Sequence, residues 1–167
     1  MNTTKKELRI GLDIDDVIAD FCTHFFQYLD FEDKSPATEW EDPRIIRYYK
    51  EVLHDNLFWK TMPKLTKPEN INFKPVMYVT ARGSHTKTDE WLKRHNYHEA
   101  PVYYTDGGSK VDILKGNVDI FIDDSYKNYL ELNKNGIKCL LFDRPHNRKY
   151  DVGKNRIYNI EDVWNID

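Results

Sequence analysis

The residues best equipped for chemistry are acids at the ends of apolar runs. Asp13 and Asp15 close the run Leu8-Arg9-Ile10-Gly11-Leu12, and Asp123 and Asp124 close Val118-Asp119-Ile120-Phe121-Ile122. Thr80 ends a third run, Val76-Met77-Tyr78-Val79, and Lys110 follows a Gly107-Gly108 loop after a fourth, Val102-Tyr103-Tyr104. Taken singly, each has a plainer explanation. The acids can supply negative charge at a helix N-terminus, threonine is at home at a strand end, and a lysine is ordinarily solvated. Brought together, several carboxylates repel one another unless a cation sits among them. Oxygen ligands without a His or Cys cluster suit a hard divalent ion, so Mg2+ is the expected cofactor. Mg2+ commonly shares its shell with a substrate phosphate, and a lysine and a hydroxyl as further phosphate partners point to phosphoryl transfer. A carboxylate that attacks phosphorus forms an aspartyl-phosphate, which splits one hard step into two.

Such convergence requires elements that deliver every one of these residues to one edge. The first apolar run predicts a buried strand, and Val17, Ile18, Phe21, Cys22, Phe25 and Leu29 recur at helical spacing after it. An irregular stretch with Pro36, Pro43, Pro63 and Pro68 covers residues 30 to 70. A regular beat then resumes: strand 76–79, helix 86–95, strand 102–104, and a helix capped by Ser109 and closed by Gly116. Strand 118–122, a helix from a Ser125 cap to Gly136, strand 137–142 and a short helix capped by Asn159 complete it. Strands alternating with helices predict an α/β fold, a parallel sheet with helices on both faces. Continuous apolar strands agree with burial on both faces. In such sheets ligands bind at the carboxyl ends of the strands, where the acids, Thr80 and Lys110 would meet. Ten aromatic residues between residues 21 and 60 predict a small helical subdomain with its own apolar cluster. The expected division is therefore a core of 1–21 and 71–167 with a cap of 22–70.

Composition excludes several classes. With 167 residues, 40% of them apolar and 14% aromatic, the chain is not disordered. No apolar run approaches the ~18 residues of a membrane span. The polar start, Met1 to Glu7, has no apolar signal region, so a cytoplasmic protein is expected. A net charge of −3 gives no basic face for duplex nucleic acid, while one local cluster suffices for a small phosphorylated partner. Cys22 and Cys139 are expected as buried thiols. A homodimer through exposed aromatics stays open.

Ile10-Gly11-Leu12-Asp13-Ile14-Asp15-Asp16-Val17 resembles the Asp-x-Asp signature of the haloacid dehalogenase (HAD) superfamily. Tyr78-Val79-Thr80, Lys110 and Ile120-Phe121-Ile122-Asp123-Asp124 resemble its second, third and fourth motifs, in order, from residue 8 to about 145. Within it the chain is most similar to the 5′(3′)-deoxyribonucleotidases, through Asp13 to Phe21, Leu57-Phe58-Trp59 with Met62-Pro63, and Leu140 to Asp143 with His146-Asn147. The resemblance implies a Rossmann-like HAD core with a small helical cap inserted after the first strand. It implies Asp13 as nucleophile and Mg2+ ligand. Asp15 would protonate the leaving oxygen, activate water and offer its carbonyl to the metal. Thr80 and the Ala81 N–H would hold phosphate, Lys110 would neutralise charge, and Asp123 and Asp124 would anchor Mg2+. Phe21 matches a base-stacking position, and Trp40, Phe58 and Trp59 are further candidates, with cap packing as the alternative. The chain departs from the family at Asp16, where glycine is usual, at Ala81, where a serine is expected, and before Lys110, where an arginine is missing. Arg82 is the candidate to supply that charge, with a surface arginine as the alternative.

The expected activity is a Mg2+-dependent phosphomonoester hydrolase, a nucleotidase for (deoxy)ribonucleoside monophosphates. The rivals are a phosphatase for a sugar phosphate or a nucleic-acid 3′-phosphate, and a phosphate-responsive binding module without catalysis.

Overall fold

The computed structural model describes residues 7–166; Met1–Lys6, which carry most of the polar start, lie outside them. Six strands form one parallel sheet: β1 (Ile10–Leu12), β2 (Met77–Thr80), β3 (Val102–Tyr104), β4 (Ile120–Asp123), β5 (Cys139–Phe142) and β6 (Arg156–Ile157), in the order β3-β2-β1-β4-β5-β6. The helices are α1 (Phe21–Tyr28), α2 (Pro43–Val52), α3 (Asn56–Lys60), α4 (Thr88–Arg94), α5 (Val111–Leu114) and α6 (Tyr126–Lys134). This is the expected α/β architecture. No helix among the described residues is long and apolar enough to cross a membrane.

The apolar strands sort by parity, as a pleated strand requires. Ile10, Leu12, Tyr78, Ile120, Ile122 and Leu140 face one side, with Trp91 and Leu92 of α4 packed on them. Met77, Val79, Phe121 and Cys139 face the other, against Leu114 of α5 and Leu132 of α6. Gly11 is required in β1 because a Cβ there would lie 2.9 Å from the Phe121 ring and 3.2 Å from Val118. The ring occupies the place of a side chain.

Three expectations need correction. The helical spacing over Val17 and Ile18 is not a helix: residues 14–19 are a tight loop in which the Ile14 carbonyl accepts from the Ile18 and Ala19 N–H groups at 2.9 Å, and α1 begins only at Phe21. Val17 and Ile18 are apolar because both side chains are fully buried beneath that loop. The stretch from 30 to 70 is not irregular throughout. Asp42, ahead of Pro43, caps α2 by accepting from the Arg44 N–H, and Asp55 caps α3 by accepting from Leu57 and Phe58. Finally, the aromatics of this insert form no cluster of their own. Phe25, Phe26, Phe58 and Trp59 belong to the same buried cluster as Leu12 and Ile14 of the central strand and its loop.

Candidate active site

From β1 the chain runs outward through β2 to β3 on one side of the sheet and then crosses back to β4 on the other side of β1, so the carboxyl ends of β1, β2 and β4 adjoin a switch in strand order. Asp13 follows β1 directly, its N–H donating to the Ile122 carbonyl of β4 at 3.0 Å. Asp123 ends β4 and Thr80 ends β2. Lys110 precedes α5, whose first turn is tied by the Ser109 hydroxyl accepting from the Val111 N–H. The register between β1, β2 and β4 therefore fixes where Asp13, Thr80 and Asp123 stand, before any side chain is placed.

At this edge Lys110, 2% exposed, donates to Asp13 Oδ1 at 2.9 Å and to Asp123 Oδ2 at 2.7 Å. Burial alone would lower the Lys110 pKa, but the Asp123 and Asp13 carboxylates outweigh it and hold the ammonium well above its ordinary value. Burial drives the Asp13 pKa well above the usual carboxylate range; Lys110 opposes this and Asp123 and Asp124 add to it. Asp124 is driven up likewise, by burial and then by Asp16 and Asp123. Asp123 is further held by the Ser125 N–H at 2.8 Å and by the Asn128 amide at 3.0 Å. Asp124 Oδ2 and His146 Nε2 share a hydrogen bond of 2.8 Å, while the buried Oδ1 of Asp124 has no partner.

Oxygens of Asp13, Asp123 and Asp124 lie within 4.8 Å of one another. Three carboxylates against one ammonium leave two negative charges in excess. That excess, the all-oxygen donor set and the orphaned Asp124 oxygen fit a hard divalent cation such as Mg2+.

Asp16 has φ 56°, a left-handed conformation that its short polar side chain tolerates better than most, so the position usual for glycine keeps its turn. Its carboxylate accepts from the Cys22 N–H at 3.2 Å and from the Cys22 thiol at 2.8 Å, with Arg144 at 3.7 Å. Burial raises the Asp16 pKa, which Arg144 and Cys22 oppose, and burial with Asp16 pushes the Cys22 thiol well up. Asp16, Cys22 and His146 also approach within 4.8 Å of one another, but Cys22 and Arg144 already satisfy Asp16. Both cysteines are free, Cys139 buried and Cys22 half-buried.

A cavity of about 270 Å³ opens above these groups. Asp13, Asp15, Ala81, Arg82 and Lys110 line it, with Phe21, Trp40, Ile45, Ile46 and Tyr49 as an apolar wall and Glu39 and Glu41 beside Trp40. Burial raises the Tyr49 pKa, keeping its hydroxyl protonated. Thr80 does not reach the cavity; it is fully buried and its hydroxyl accepts from the Arg82 N–H at 3.2 Å. Phe58 and Trp59 are also away from it, buried in the shared core where Phe58 meets Phe25 and Trp59 edge-on. Arg82 is no surface residue: it pairs with Asp15. Sequence reasoning missed Tyr49, Ile45 and Ile46, hidden in the stretch read as irregular. It also missed Asn128, one helical turn past the Ser125 cap, and gave His146, quoted only for the family resemblance, no role at the site.

A parallel sheet in this order, with acidic residues at its switch point, has the fold of the HAD-superfamily hydrolases. The chain is 29% identical to a nucleotidase of Clostridium acetobutylicum, over 96% of this chain and 94% of that one. It is 26% identical to a protein of Halalkalibacterium halodurans provisionally described as a nucleotidase, over 87% of this chain and 85% of the other. A HAD-superfamily hydrolase of subfamily IA from Geobacter sulfurreducens shares the fold with a TM-score of 0.57 at 14% identity, covering 95% of both chains. No family model matches the chain.

Proposed function

We propose that the chain is a Mg2+-dependent nucleotidase that hydrolyses nucleoside monophosphates through a phosphorylated Asp13. The observation that carries this is one carboxylate in two settings: Asp13 is buried, gripped by Lys110 and beside the Asp123-Asp124 pair, while its oxygen still faces a cavity shared with Asp15. Mg2+, held by Asp13, Asp123, Asp124 and the Asp15 carbonyl, would supply charge neutralisation for the phosphate. Asp13 attacks phosphorus. Asp15, two residues on, gives a proton to the leaving oxygen and later takes one from water. Lys110 keeps Asp13 oriented and offsets negative charge, and the Ala81 N–H holds a phosphate oxygen.

The cap supports the nucleoside assignment. Trp40 is 47% exposed against the edge of the His146 ring, and Phe21 is half-buried, so both can offer a face to a planar base. The two cationic side chains lining the cavity, Lys110 and Arg82, are already paired with carboxylates. Glu39 and Glu41 flank the outer wall, which disfavours a second phosphate group. We place the reaction in the cytoplasm, where nucleoside monophosphates are made.

The test is phosphate release, with and without Mg2+, from nucleoside 5′- and 3′-monophosphates, sugar phosphates and p-nitrophenyl phosphate. Mg2+-dependent turnover concentrated on nucleotides is the expected result. Even turnover, or a preference for sugars, would remove the nucleotidase and keep the phosphatase; no turnover on any ester would favour the binding module.

A further inference from the structure

Arg82 is buried to 2% exposure, and its guanidinium is committed on every side. Nε lies 2.9 and 3.2 Å from the two Asp15 carboxylate oxygens, and one terminal nitrogen also binds Asp15 Oδ1. The other donates to the Thr88 hydroxyl at 3.0 Å. The Met62 sulfur is 3.1 Å away, and the Trp59 ring centroid lies 4.8 Å from the guanidinium carbon. A group so engaged is poorly placed to grip a phosphate in place of the arginine missing before Lys110. Its partner, by contrast, is an aspartate 24% exposed at the cavity.

We infer that Arg82 is a positioning residue: its planar fork fixes the Asp15 carboxylate, and Thr88, Met62 and Trp59 in turn fix the fork. The inference rests on Asp15 being the proton donor and acceptor proposed above. In that reaction an Asp13 oxygen bonds to phosphorus as the ester P–O bond breaks, its electron pair leaving with the ester oxygen, which takes the Asp15 proton. Water then bonds to phosphorus, displaces Asp13 and gives its proton back to Asp15. Both transfers require the carboxyl within hydrogen-bond reach of an oxygen whose place phosphorus sets, so a misplaced Asp15 loses the proton transfer without losing the phosphate. Lysine cannot replace a two-pronged contact of this kind.

The leaving group reads this out. kcat/KM reports the steps up to departure of the leaving group; a nucleoside alkoxide needs a proton there and p-nitrophenolate does not. Arg82→Gln and Arg82→Lys are expected to lower kcat/KM for a nucleoside 5′-monophosphate by roughly 10²-fold and to leave p-nitrophenyl phosphate within a few-fold. Thr88→Val, which keeps shape and removes one bond to the fork, should show the same bias more weakly, and it serves as the test if the Arg82 variants do not fold. Equal losses on both esters would mean that Arg82 grips phosphate or only supports the fold, and would overturn the inference, as would wild-type kinetics on both esters in the Arg82→Lys protein. Asp15→Asn, measured alongside, separates the two layers. If it lacks the leaving-group bias, the acid–base reading of Asp15 fails and the inference falls with it; if it shows the bias and the Arg82 variants do not, only the positioning fails.

Discussion

Lys110→Met removes an ammonium and keeps most of the stem that fills its space. In the wild type the ammonium lies 2.9 Å from Asp13 and 2.7 Å from Asp123, and the three side chains are no more than 8% exposed. Breaking a buried ion pair by deleting one partner costs about 3–5 kcal/mol, because the other charge is left uncompensated. Here two carboxylates are stranded, with Asp124 adjacent, so the upper end is expected unless one of them takes up a proton. For a chain of this size each kcal/mol lowers Tm by roughly 2–4 °C, so a fall of about 10–20 °C follows. Differential scanning calorimetry in EDTA near neutral pH measures it, and added Mg2+ should recover part of the loss by supplying the missing positive charge. A Tm within about 2 °C of wild type in EDTA would refute the reasoning, since exposed pairs of small worth give such a result.

Other outcomes follow from the same geometry. Asp13→Asn should abolish turnover with the fold intact, checked by phosphate release and circular dichroism; wild-type rates in a preparation free of contaminating phosphatases would sink the nucleophile assignment. The raised pKa values of Asp13 and Asp124 mean that their contribution to stability is greatest below the usual carboxylate pKa and is lost as pH rises through the raised ones. Mg2+ should therefore raise Tm more at about pH 8 than at about pH 5.5, and equal increments at the two values would count against a carboxylate metal site. Trp40→Ala should raise KM for nucleoside monophosphates about 10-fold, the worth of one base stack, while leaving Tm and p-nitrophenyl phosphate nearly unchanged. An equal rise on both esters would take Trp40 out of base recognition.

The parts of this structure legible in the sequence are those governed by local pattern. Apolar runs ending in acid gave β1 and β4, and Ser125 marked the start of α6 at the right residue. β6 escaped because it is two residues, Arg156–Ile157, with a single apolar side chain to signal it. Val17 and Ile18 misled for a physical reason: burial beneath a tight loop produces the same residue types as one face of a helix. Side-chain direction was the main loss. Phe58 and Trp59 are aromatic whether they face a base or the core, and only packing against α1 decides. The Arg82 pairing joins residues 67 positions apart, and His146 meets Asp124 across 22. No spacing rule links such residues; the strand order does.

One buried cluster runs from the central strand into the inserted helices, through Leu12, Ile14, Phe25, Phe58 and Trp59. An insert packed in this way is not a hinged door. Swinging it open would expose the buried Phe25, Phe58 and Trp59 and forfeit the apolar burial they supply. Substrate traffic must instead pass the outer wall, where Trp40 and Ile46 are 47% and 62% exposed and can move as side chains. The same continuity shapes how the protein can diversify. Transplanting a different insert would strip the core of its packing, whereas single changes at the exposed Trp40 and Ile46 alter the wall and leave the interior whole. New substrate preferences are therefore accessible by point mutation along that wall and closed to exchange of the module.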